Sequence, residues 1–84
     1  MMNKLLLQVD IPAIGKSYEM KVPRQLKVKQ LTDVLRTYFA GKGFGNYIPG
    51  NDVILCDSFS GKVFDSNSFI DQLGLKNGTK ILFI

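Results

Sequence analysis

The sequence predicts an α+β roll, a mixed sheet of four to five strands with one main helix across one face. Three observations carry it. The chain opens with two alternating apolar/polar segments joined by a short Pro/Gly turn. The apolar spacing switches once to a helical period, between Val28 and Phe39. Strand-like apolar runs then return and close the chain as Ile81-Leu82-Phe83-Ile84.

Each element has its own warrant. In Lys4 to Asp10, Leu5, Leu7 and Val9 share one face and Lys4, Leu6, Gln8 and Asp10 the other. Pro12 and Gly15 interrupt any ladder through residues 11–16. Ser17 to Val22 alternates again, with Tyr18, Met20 and Val22 on one side, so the pair predicts an antiparallel hairpin that Pro23 ends. Val28, Leu31, Val34, Leu35, Tyr38 and Phe39 form the apolar stripe of a helix stopped by Gly41. Its start is weak: Lys27 sits where Ser or Asp would cap, and its charge opposes the helix dipole.

Residues 41–52 read as a Gly-rich loop. Val53 to Cys56 is a short strand, Ser58 to Lys62 a turn, and Val63-Phe64 the start of a short return strand. Ser68 to Leu73 suits a single helical or 3₁₀ turn. Asn77-Gly78 signals a tight turn before the last strand, Thr79 to Ile84. A final strand apolar to its end suits a central place in the sheet, paired with the first strand. That is the β-grasp arrangement.

At 84 residues the chain is expected to form one domain, 1–84. It has no His and a single Cys. Imidazole base chemistry, His metal ligation, Ser/His or Cys/His nucleophile pairs and an intramolecular disulfide are all excluded. The longest apolar runs are three or four residues, short of the roughly 20 needed to span a bilayer and the roughly 7–15 of a signal peptide. A cytoplasmic protein is expected, reaching the inner face of a membrane through partners, with no direct insertion.

Candidate chemical motifs are thin. Gly41-Lys42-Gly43-Phe44-Gly45 follows a helix instead of opening one, so it does not suit phosphate. Gly15-Lys16-Ser17 ends like a nucleotide loop, but Asp10 stands where the upstream Gly belongs. Cys56 has no base to activate it. Asp52, Asp57, Asp65 and Asp71 follow no metal or paired-acid spacing. No catalytic residue, cofactor, metal or small-molecule substrate is expected, and the chain is read as a non-enzyme.

Charge is uneven. Residues 16–42 hold seven basic and two acidic side chains, a balance of +5, whereas residues 52–71 hold four acidic and one basic, a balance of −3. Lys21, Arg24, Lys27 and Lys29 make a secondary basic patch fit for an acidic surface; without interleaved aromatics it is a poor nucleic-acid site. The more informative surface is the sheet face away from the helix. There Leu6, Leu82 and Ile84 point outward, together with two side chains of Val53–Cys56. A wet sheet face should be polar, and an apolar strip on it marks an interface unless residues 41–52, with Phe44 and Tyr47, fold over it.

The element order, the stripe Val28-Leu31-Leu35 and the turn Ser60-Gly61-Lys62-Val63-Phe64-Asp65 resemble ubiquitin. Tyr18-Glu19-Met20-Lys21-Val22-Pro23, the spacing from Pro23 to Val28 and Leu31, and Leu73-Gly74-Leu75-Lys76-Asn77-Gly78-Thr79-Lys80 resemble the YukD/EsaB family more specifically. These are small bacterial ubiquitin-like proteins of type VII (WXG-type) secretion systems. The resemblance spans nearly the whole chain and is one of fold more than of motif. It implies a non-enzymatic accessory or regulatory component that docks on the membrane ATPase or other cytoplasm-facing subunits. Ubiquitin is bound through its outer sheet face, which points to Leu6, Ile54, Lys80, Leu82 and Ile84 as partner-binding residues here. The terminal Gly-Gly of conjugated relatives is missing at Ile84, so conjugation is not expected. The alternatives are a β-grasp module or carrier outside secretion, or a nucleic-acid binder using the basic patch. The oligomeric state, a homodimer included, stays open.

Overall fold

The computed structural model describes residues 4–42, 49–50 and 52–84. Strand β1 (Lys4–Ile11) and strand β2 (Lys16–Pro23) form the expected antiparallel hairpin, each longer than predicted by one or two residues. A 3₁₀ turn over Pro12–Ile14 joins them and closes on Gly15 at φ 62°. Helix α1 (Val28–Ala40) follows, then β3 (Leu55–Asp57), a second 3₁₀ turn (Ile70–Gln72) and β4 (Thr79–Phe83). The sheet order is β2-β1-β4-β3, with β4 parallel to β1 and antiparallel to β3. The last strand is therefore internal and beside the first, as its apolar sequence predicts.

The core follows from the two periods. Leu5, Leu7, Val9 and Ile11 of β1, Val22 of β2, and Ile81 and Phe83 of β4 meet Val28, Leu31, Leu35 and Phe39 of α1, closed by Leu55 and Ile70. Phe39 sits at the centre, its ring 5.1 Å from Phe83 and 5.7 Å from Tyr18 between centroids.

The weak start of α1 has a tertiary solution. Val28 and Lys29 donate their N–H groups to the carbonyls of Ser68 and Ser66, at 2.9 and 3.0 Å. Lys27 N–H donates to Gln30 Oε1 at 2.8 Å. Three donors at the helix start thus find partners, two on distant carbonyls and one on the Gln30 side chain, with none from a Ser or Asp at the N-cap. The connecting segment is held in turn by Ile70 N–H to the Leu26 carbonyl and Asp71 N–H to the Arg24 carbonyl.

Three expectations need correction. Val34 and Tyr38 belong to the helical stripe, yet they are 54% and 45% exposed, because the sheet under α1 ends at β2. The strand placed at Val53–Cys56 runs Leu55–Asp57 instead. Val63-Phe64 makes no strand: Val63 forms a lone bridge to Cys56, and Phe64 N–H bonds the Leu55 carbonyl. Phe44 and Tyr47, expected as a cover for the outer strip, lie outside the described residues.

Candidate interaction surface

The strand register lays out the face opposite α1 row by row. Glu19, Gln8 and Lys80 make one row across β2, β1 and β4. Ser17, Asp10, Leu82 and Cys56 make the next, which Val63 extends beyond β3. Two residues past Leu82 on the same face, Ile84 exchanges both backbone hydrogen bonds with Ile54, at 3.0 and 3.3 Å. Leu82, Ile84, Ile54 and Val63 therefore gather into one apolar strip at the β3/β4 side. Ile54, Ile84 and Val63 are 40%, 49% and 52% exposed, and Leu82 is half-buried.

Leu6 does not join them. It pairs across with Lys21, and the polar Gln8–Lys80 row lies between it and Leu82. Its N–H goes to Asn77 Oδ1 at 2.9 Å and its carbonyl takes Gly78 N–H at 2.8 Å. Gly78, at φ 88°, lets that turn close against β1. Lys80 flanks the strip as expected, beside Asp10.

Two contributors escape a reading by periodicity. Val63 enters through its bridge to Cys56. Phe59 stands on the turn after β3 at 99% exposure. The signal for Phe59 is in the sequence: an aromatic flanked by serines in a tight turn has no core within reach. The turn is held by Asp57, whose Oδ2 accepts from Ser60 N–H and Ser60 Oγ at 3.0 and 2.8 Å.

Those hydrogen bonds hold the Asp57 carboxyl below its usual range. Asp10 is lowered in the same way, first by Ser17 Oγ at 2.7 Å, then by Gln8 Nε2 at 3.0 Å. A depressed carboxylate contributes stability that is present above its unfolded pKa, about 3.9, and is lost as pH falls through the folded value. Asp10→Asn is therefore expected to narrow the gap between urea midpoints measured at pH 7 and pH 3; an unchanged gap would show that the Ser17 and Gln8 bonds contribute nothing.

Cys56 faces outward by register but is only 2% exposed. Burial raises its pKa, and the Asp57 charge adds to that. The thiol stays protonated at neutral pH and is poorly reactive. Labelling by a disulfide reagent at pH 7.5 should be at least 100-fold slower in buffer than in 6 M guanidinium; equal rates would mean an open site.

In the basic patch, Arg24 is 3.9 Å from Asp71 and Lys27 lies 5.5 Å from the Phe69 ring centroid, whereas Lys21 and Lys29 are exposed. Two of its four cations thus already have partners within the fold. Among the described residues, no three His, Cys, Asp or Glu side chains gather as metal ligands. No helix among them is long and apolar enough to cross a membrane.

No protein-family model matches the chain, and no curated protein matches it in sequence. Solved structures match its fold along its whole length. The ubiquitin-like domain of an Arabidopsis thaliana protein superposes with TM-score 0.71 at 20% identity, over 99% of this chain and 78% of that one. The ubiquitin of Caldiarchaeum subterraneum does so with TM-score 0.73 at 16% identity, over 96% and 91%. A chain of the ESX-5 inner membrane complex matches with TM-score 0.75 at 14% identity, over 99% of this chain and 21% of that one. The fold is a ubiquitin-like β-grasp, a mixed four-stranded sheet with one helix.

Proposed function

We propose that the chain is a ubiquitin-like accessory or regulatory component of a type VII secretion system. It docks on cytoplasm-facing secretion proteins through the outer sheet face and carries out no catalysis of its own. The observation behind this reading is the apolar strip of Leu82, Ile84, Ile54 and Val63 on a face that α1 does not cover. Water should favour polar side chains on such a face, and an apolar cluster there suits burial by a partner. Lys80 and the half-buried Asp10 border it and supply a polar rim. Phe59 stands beside Lys80 as an aromatic anchor, the residue type enriched where binding energy concentrates. The full-length superposition on a chain of the ESX-5 inner membrane complex supports the secretion setting.

The test is a binding titration of the purified chain against the cytoplasm-facing segment of a type VII secretion ATPase. Phe59→Ala removes a side chain that is 99% exposed, so its melting temperature should stay unchanged. Affinity should drop about tenfold or more, as for an interface anchor. Saturable binding by the wild type with undiminished binding by Phe59→Ala and Ile84→Ser would refute the surface. No binding to the ATPase segment would refute the assigned partner.

A further inference from the structure

Asn77-Gly78, the turn that leads into β4, carries reactive chemistry of its own, whatever partner the outer face takes. It is the only Asn-Gly pair in the sequence. In such a pair the backbone nitrogen of the glycine can attack the side-chain carbonyl carbon of the asparagine, because no Cβ on the glycine hinders the approach. The product is a cyclic succinimide. The fold decides how often the two atoms meet, and here it ties both groups to one residue. Asn77 Oδ1 accepts the Leu6 N–H at 2.9 Å, and Gly78 donates its own N–H to the Leu6 carbonyl at 2.8 Å. The turn is also tied within itself: Thr79 N–H donates to the Lys76 carbonyl and Lys76 N–H to Thr79 Oγ1, both at 3.0 Å.

The bonds to Leu6 oppose ring closure in two ways. Asn77 Cγ must come over the Gly78 nitrogen, but its amide is held on the Leu6 nitrogen while Gly78 is held on the Leu6 carbonyl. The attacking nitrogen must also lose its proton, and the anion so formed would face the Leu6 carbonyl oxygen, a repulsive contact. The clamp is nevertheless local. Asn77 and Gly78 are both exposed, and neither side of the turn reaches the core cluster. The β1/β4 register starts beyond it, at Leu7 and Thr79. The turn can therefore lift from Leu6 while the ladder stays paired, and exposed backbone bonds with few apolar contacts are the ones that open at low free energy.

We propose that Asn77 is a self-modification site gated by local release of this turn from Leu6. In the released turn the Gly78 nitrogen gives its proton to hydroxide and bonds to Asn77 Cγ. The Cγ–Nδ2 bond breaks, and Nδ2 leaves as ammonia after taking a proton from water. Water then opens the ring at either carbonyl, so the whole sequence consumes water, releases ammonia, and oxidises and reduces nothing. Cleavage of the new bond from Gly78 N to Cγ leaves an aspartate. Cleavage of the original peptide bond leaves an isoaspartate, whose main chain runs through the former side chain. The two products differ in effect. Aspartate keeps an oxygen for the Leu6 N–H. Isoaspartate adds a methylene to the main chain between Lys76 and Gly78, and the turn no longer presents both bonds to Leu6 together. The site thus accumulates a record of the time the entry to β4 spends released, and its isoaspartate product loosens the junction of β1 and β4.

The experiment ages the full chain at pH 8 and 37 °C and follows the amide-to-acid mass change by peptide mapping, with a capped peptide of residues 75–80 as the ungated reference. Deamidation should map to Asn77 and run at least tenfold slower than in the peptide. Hydrogen exchange of the Gly78 amide should be slowed by the same factor, within about threefold, because one opening exposes both. Both rates should stay flat in urea well below the unfolding midpoint, since releasing one turn exposes little surface. The chain carrying isoaspartate should melt below the wild type and exchange its Leu6 amide at least tenfold faster, whereas recombinant Asn77→Asp should melt close to the wild type. Deamidation at the peptide rate would show that Leu6 gates nothing. A rate that climbs steeply with urea, or one slowed tenfold more than the Gly78 amide, would confine the reaction to the unfolded chain. Faster modification at another asparagine, or an isoaspartate chain that melts like the wild type, would remove the site or its consequence. Each of these results overturns the proposal.

Discussion

Replacing Phe39 with alanine is expected to cost about 3–5 kcal/mol, the range for deleting a buried aromatic ring. Phe39 is fully buried, and among the described residues its ring lies against β2, β4 and its own helix at once. Its centroid is 5.7 Å from Tyr18, 5.1 Å from Phe83 and 5.5 Å from Tyr38. The tilted and edge-on geometries add about 0.5–1.5 kcal/mol per aromatic pair beyond area burial. No buried polar side chain or disulfide among the described residues compensates for a cavity at this point. A single domain has about 5–15 kcal/mol in total, so Phe39→Ala should sit near the threshold of folding. Its thermal midpoint should fall by on the order of 20 °C. Phe39→Leu keeps the apolar fill and loses the ring contacts, so it should recover more than half of the deficit. Guanidinium unfolding of the three proteins reads this directly. A loss below about 1 kcal/mol for Phe39→Ala would mean that the neighbouring rings collapse into the space, and Phe39 would not be the keystone of the core.

What could be read beforehand and what could not divides along sequence separation. The alternation of Leu5, Leu7 and Val9, and the spacing of Val28, Leu31, Leu35 and Phe39, are local periods, and all seven side chains are in the core. The internal place of β4 was also legible, because Ile81 and Phe83 are apolar on one face while Leu82 and Ile84 are apolar on the other. The capping of α1 was not. Its acceptors are carbonyls of Ser66 and Ser68, far along the chain, and a carbonyl carries no side-chain signature. The exposure of Val34 and Tyr38 was hidden for a related reason. A helical period shows which side chains share a stripe, but the width of sheet beneath it depends on which strand forms the edge.

The outer surface was legible by parity and misjudged in extent. Alternation correctly places Leu6, Leu82 and Ile84 on one face. It says nothing about neighbours across strands, and the β1/β4 register puts Gln8 and Lys80 between Leu6 and the rest. Cys56 shows the same limit: parity turns it outward, but burial is decided by what lies around it, and Val63 bridges to it across the turn.

Leu82→Asp is expected to abolish docking while leaving the fold intact. Leu82 joins the strip to its polar rim, with Cys56 beside it on β3 and Asp10 beside it on β1. Its side chain is only half-buried in the free chain, so no core cavity opens. The folding cost has two parts: the poor fit of Asp in a strand, up to about 1 kcal/mol, and a like-charge pair with Asp10, up to about 1 kcal/mol. Together these should lower the melting temperature by several degrees and leave the chain folded at 25 °C. Docking should respond far more. A carboxylate forced into an apolar contact loses its water without gaining a partner, and an apolar anchor is worth about 2 kcal/mol or more, roughly thirtyfold in affinity. Gln25→Asp makes the same charge change at an exposed turn position between β2 and α1, away from the strip. It should bind like the wild type, which separates local desolvation from a general effect of net charge. Circular dichroism melts and binding titrations on the two variants decide the matter. A folded Leu82→Asp that still binds, or a Gln25→Asp that fails equally, would remove the outer strip as the docking surface.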